Sequence, residues 1–116
     1  MAISETYSNA GATIGATEYS LTAASTTLGA ITTDGVYQLF LDMNAMVAAD
    51  QYQIRIYEKC YSSGTQRVVY EAILTGAQNQ PIFSAPSLIL IHGWEMTVKK
   101  LAGTDRSIPW SIRQVA

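Results

Sequence analysis

Between residues 51 and 74 the chain reads QYQIRIYEKCYSSGTQRVVYEAIL, two runs of alternating apolar and polar positions joined by Ser-Ser-Gly-Thr. Alternation at a period of two predicts a pair of strands, and the small polar linker predicts a tight turn near Ser63. Opposed residues of an antiparallel pair point the same way, so Tyr52, Ile54 and Ile56 are expected to share a core face with Val68, Tyr70, Ala72 and Leu74. The other face then carries Gln53, Arg55, Tyr57 and Lys59 beside Arg67, Val69, Glu71 and Ile73, with Arg55 in reach of Glu71. That face is either solvated or held against another chain.

The same pattern extends in both directions. Upstream, VYQLFLDM after the Asp34-Gly35 turn signal places Tyr37, Leu39 and Leu41 on one side and Val36, Gln38 and Phe40 on the other. With both sides fairly apolar it predicts a central or covered strand. Residues 17–33, rich in Thr and broken by Gly29, predict two short strands, and residues 43–50, MNAMVAAD, predict one short helical turn. Residues 1–16 are small and hydroxylated, with no period; they are expected as an extended N-terminal arm, frayed or reaching a neighbouring subunit.

Downstream, residues 75–87 hold Pro81 and Pro86 and predict a long loop, with Phe83 tucked beneath it or displayed from it. LILI at 88–91 predicts a short buried strand. WEMTVKKL and SIPWSIRQV predict a second hairpin, whose last strand belongs at an edge or a bulge because Pro109 lacks the N–H that a ladder needs. The sum is an all-β fold, an antiparallel β-sandwich or small barrel of about eight short strands, forming a single domain over residues 17–116 behind the arm.

Composition narrows what such a fold is for. Charged residues make up 14% of the 116 and hydrophobic ones 48%, against roughly 25% charged in an ordinary soluble chain, so part of the surface is expected to be covered by other chains or kept wet by hydroxyls. The net charge of −2 and the scattered Lys and Arg argue against nucleic acid. One cysteine, Cys60, leaves no internal disulfide, and no signal-like start or bilayer-length apolar run stands in the sequence, so synthesis in a cytoplasm and no membrane partner are expected.

Candidate chemistry is sparse. His92, the single histidine, precedes a glycine and reads as a turn residue rather than a catalytic base. Glu58, Glu71 and Glu95 are dispersed over strand faces, the aspartates do not cluster, and no phosphate-cradling glycine loop occurs. No catalytic, metal or cofactor site is therefore assigned, and an enzyme is not expected.

The stretches EYSLT, DGVYQLFLDM, IRIYEK, RVVYEA, LILIHGWEMTVKK and AGTDRSIPWSIRQV, spread over residues 18–115, resemble small proteins from structural gene clusters of tailed bacteriophages, especially phages of aquatic bacteria. Those proteins are similar in size and character to capsid decoration, or cement, proteins. The resemblance implies a homo-oligomer, a trimer or else a dimer, on the virion capsid exterior, binding the phage major capsid protein and bridging its subunits. It implies no site residues. The residues themselves suggest Ile3, Tyr7 and Ile14 on the arm, Arg55, Tyr57 and Arg67 on the outer sheet face, and Phe83 on the loop as protein-contact positions, Arg and Tyr being rich in interface energy. A phage tail or neck component is the alternative, and a carbohydrate-binding sandwich using Trp94 or Trp110 as a sugar platform is another.

Overall fold

The computed structural model describes residues 2–115; Met1 and Ala116, the outer residues of the expected arm and domain, lie outside the described residues. Nine strands are present among them: β1 Ile3–Ile14, β2 Tyr19–Ser20, β3 Gly35–Asp42, β4 Gln51–Lys59, β5 Gln66–Thr75, β6 Ile82–Ser84, β7 Leu88–Leu90, β8 Glu95–Ala102 and β9 Arg106–Val115. They form two antiparallel sheets, ordered β1-β9-β3-β6 with β7 also on β3, and β2-β8-β4-β5. β6 pairs with one end of β3 and β7 with the other, so the two act as one strand interrupted at Pro86. Taken that way the sandwich has eight strands wound as a jelly roll, the arrangement in which long connections pass between two facing sheets.

The core lies between the sheets. Tyr37, Leu39 and Leu41 from β3 and Ile108, Trp110 and Ile112 from β9 face Tyr52, Ile54 and Ile56 from β4 and Met96 and Val98 from β8, all buried. The Tyr37 ring tilts against Trp94 at 4.3 Å between centroids, and Trp110 donates its Nε1 proton to the Leu21 carbonyl at 2.9 Å. Indole groups are thus buried with their polar ends satisfied.

The β4–β5 register follows the expected one from Tyr52↔Leu74 to Ile56↔Tyr70, and Arg55 stands opposite Glu71. It then shifts between Ile56 and Tyr57, so that Tyr57 faces Val68. A bulge adds one residue to one strand, which turns every later side chain to the opposite face. Val68 leaves the core, and Arg67 points to the side opposite that expected.

Other expectations are corrected. Residues 3–14 are extended but not a separate arm: β1 pairs along its length with β9, from Ile3↔Val115 to Ile14↔Arg106. β8 and β9 are not a hairpin, because they belong to different sheets and the turn through Gly103, with φ of +90°, carries the chain across the sandwich. β9 is flanked by β1 and β3 and is no edge; Pro109 is accommodated opposite the β1 irregularity between Asn9 and Ala12, the bulge rather than the edge. Residues 43–50 make two successive turns and no helix: Met46 and Asp50 donate to the carbonyls three residues back, Met43 and Val47, and the Val47 amide, which a helix would turn to the Met43 carbonyl, goes to the Asp50 carboxylate. Only Tyr19–Ser20 of residues 17–33 forms a strand.

Candidate interaction surfaces

The outer face of the β2-β8-β4-β5 sheet carries the charged residues singled out in the sequence, and they are engaged with one another. Arg55 Nε meets Glu71 Oε1 at 2.8 Å, and Gln53 Nε2 donates to the same oxygen at 3.2 Å. Tyr57 donates its hydroxyl proton to Glu18 Oε2, which also accepts from Thr97 Oγ1, and the same hydroxyl accepts from Arg55 Nη1. The Tyr57 hydroxyl and then the Glu71 carboxylate raise the basicity of Arg55, while burial first and the Glu18 bond second push the Tyr57 phenol up. The polar groups of this face form a closed network, with Ile73 exposed beside them opposite Gln53.

Two buried carboxylates anchor the connections. Glu95, 1% exposed, accepts from Ser20 Oγ, Thr22 Oγ1 and the Gly29 and Met96 amides, which ties residues 20–29 to β8. At the opposite end Asp50 accepts from the Val47 and Thr104 amides and pairs with Arg106 Nε at 2.8 Å. These contacts hold its carboxyl down at about 2, the Val47 amide contributing most. Beside it the Tyr52 hydroxyl accepts from the Arg106 amide within reach of the Ile14 and Thr104 carbonyls; burial raises that phenol. Each of these groups has a structural partner. Among the described residues no group of three or more His, Cys, Asp or Glu is placed to hold a metal ion.

Most of the strongly exposed apolar side chains lie towards one end of the molecule, while Ile82 opposite Asp42 and Ile73 opposite Gln53 are exposed towards the other. On the outer face of the β1-β9-β3 sheet, Ile89 stands opposite Val36, Val36 opposite Val115, and Val115 opposite Ile3. Ile89 and Ile3 at the ends of this four-strand row are 79% and 67% exposed, and Ile91 follows at 43%. Hollows of about 520 Å³ and 260 Å³ lie on either side of Val36. The next row is Gln38, Arg113 and Glu5. Near the same end the β4–β5 hairpin projects Tyr61, Val68 and Val69, with Arg67 exposed among them around a hollow of about 380 Å³. The hairpin is joined to this end by Glu58, which accepts from the Ile91 and His92 amides.

The expected contact residues therefore separate. Ile3 is at the end of the apolar row and Arg67 at the hairpin tip. Ile14 is fully buried, and Tyr7 packs edge-on to Trp94 at 6.0 Å, because β1 turns both inward; neither is a surface position. Arg55 and Tyr57 are spent in the closed network. Phe83, opposite Leu41, is half-buried against the core, tucked rather than displayed. Trp94 and Trp110 are 0% and 4% exposed, so neither offers a flat face to a sugar. Sequence reasoning missed Val36, Tyr61, Val68, Ile89, Ile91 and Val115. LILI was read as wholly inside, yet alternation puts only every second residue of a strand on one face, which was the available signal.

Neither a protein-family model nor a curated protein sequence matches the chain. Among solved structures it is similar to Eiger TNF from S. frugiperda, with a TM-score of 0.52 and 14% sequence identity, over 98% of this chain and 92% of that one. At that identity the likeness establishes a shared all-β, two-sheet sandwich and nothing about what the chain binds.

Proposed function

We propose that this protein is a non-enzymatic structural component of a tailed-phage virion, a decoration protein that docks on the exterior of the capsid and bridges major capsid protein subunits as a homo-oligomer. The observation that carries the reading is the gathering of apolar side chains at one end in two separate patches, the Ile89–Val36–Val115–Ile3 row, exposed at its two ends and half-buried between, and the exposed Tyr61–Val68–Val69 tip. A bridging protein needs two adhesive surfaces, and exposed apolar area is stabilised by roughly 25 cal/mol for each Å² that a partner covers. The polar groups elsewhere are committed to holding the fold. The sequence resemblance to phage structural proteins points the same way.

In this reading the hairpin tip meets the capsid lattice. Tyr and Arg beside apolar neighbours form the kind of cluster that dominates interface energy, and Arg67 favours a carboxylate on the lattice surface. Quantitative mass spectrometry of purified virions gives the copy number. Hundreds of copies, close to the count of major capsid subunits, are expected; six to twelve would move the protein to the tail or neck, and none would end the virion reading. On particles, Arg67→Gln with Val68→Thr is expected to lower occupancy while leaving the melting temperature nearly unchanged, since both side chains are exposed and Glu58, opposite Arg67, gains no like-charged neighbour.

A further inference from the structure

We infer that the outer face of the β1-β9-β3 sheet is the surface through which copies of this chain associate. The inference rests on the self-association part of the proposal above and is independent of its virion part. Four strands contribute one side chain each to the row Ile89, Val36, Val115 and Ile3, giving an apolar band that crosses the sheet rather than a groove for a single extended peptide. A flat sheet face is complementary to another sheet face, and sandwiches stack such faces about 10 Å apart.

Three features select a second copy as the occupant. The band carries its own projections and its own recesses: Ile89 and Ile3 stand out most, and the hollows of about 520 Å³ and 260 Å³ flank Val36 between them. A copy rotated about an axis offset from the middle of the row would set its Ile89 or Ile3 into these recesses. In the adjoining row Glu5 and Arg113 are directly opposed across β1 and β9, yet they form no ion pair among the described residues. Arg113 lies over the Phe40 ring, 3.9 Å from its centroid, and donates from Nε to Ser111 Oγ, while Glu5 accepts from that same hydroxyl. An acidic or basic partner would match one of these charges and repel the other. A symmetry-related copy brings an Arg113 to each Glu5, so both are matched at once. Finally, the outer face of the other sheet shows the alternative outcome, in which Arg55, Glu71, Tyr57 and Glu18 neutralise one another within the chain.

Sedimentation velocity on the purified chain, from low to high micromolar concentration, tests this without particles. The wild-type protein is expected to run as a discrete oligomer, and Ile3→Lys with Ile89→Lys as a monomer with an unchanged melting temperature. Arg113→Glu alone should weaken association by about tenfold or more, since like charges then face each other, and Glu5→Arg with Arg113→Glu should restore it. Should the lysine variant fail to melt cooperatively, the charge-swap pair decides. A wild-type monomer at every concentration overturns both the interface and the oligomer. A wild-type oligomer that neither the lysine pair nor Arg113→Glu weakens overturns this interface alone. Copy number in virions bears on neither result.

Discussion

The two ends of the sandwich are built on opposite terms. At one end Asp50, Tyr52 and Arg106 are tied to one another or to backbone groups of Ile14, Val47 and Thr104, and Lys100 pairs with Asp105. Val47, Ile82 and Leu101 are exposed there, one from each of three separate segments, which is ordinary for any protein surface. At the other end Ile3, Ile89, Ile91, Tyr61, Val68 and Val69 face solvent together. The first end closes the fold upon itself, with Asp50, Tyr52 and Arg106 committed to internal partners. The second end is finished only when something covers it, and the contrast locates function by where internal satisfaction stops.

The comparison is sharpest at Gly103. A Cβ there would lie 2.1 Å from Asp50 Oδ1 and 2.9 Å from the Ala49 carbonyl, on a backbone with φ of +90°. Gly103→Ala is expected to cost about 3 kcal/mol or more, read as a lowered midpoint in urea unfolding, because it strains the turn and displaces the carboxylate that holds the closed end. A loss below about 0.5 kcal/mol would show that this end is not what secures the fold.

Acid gives the next effect. Asp50 sits at about 2 in the folded chain against an ordinary value of 3.8, so the unfolded state takes up its proton first as pH falls. The stability it supplies is complete above about pH 5, declines as pH drops through 3.8 towards 2, and is gone below both values. Thermal melts between pH 6 and 2 should show that decline, and Asp50→Asn, less stable at neutral pH, should flatten it. An unchanged slope in the variant would mean that other carboxylates govern acid unfolding.

The smallest effect belongs to the open end. Ile89→Lys and Val68→Thr remove only solvent-facing apolar groups and should change monomer stability by less than about 0.5 kcal/mol each. Measured below the association concentration, a clear loss would mean that these side chains support the fold and that the end is not open at all.

Much of the fold was legible because alternation carries it. Tyr37, Leu39 and Leu41 are buried as the pattern required, and Ile54, Ala72, Arg55 and Glu71 meet in the expected register. What escaped depended on non-local geometry. No local signal in WEMTVKKLAGTDRSIPW distinguishes a hairpin from a crossover between sheets, since either satisfies the same period and the same turn. The β1–β9 pairing spans nearly the whole chain, and a segment with little period of its own carries no local sign of so distant a partner. The candidate surfaces were displaced for one cause each: a single bulge moved Val68 and Arg67, and the alternation within LILI put Ile89 outside.

That long-range pairing also has a consequence for synthesis. Strand β1 has β9 as its partner, and β9 fills the space between β1 and β3. Residues 3–14 therefore leave the ribosome early and wait for residues 106–115, about five to twenty seconds at roughly 5–20 residues per second. Through that interval the half of the sandwich bearing β3 lies open along the gap, and the nascent chain is most exposed to misassociation with its neighbours on the same message. Strand β9, emerging after the other eight described strands, is the one that shuts it.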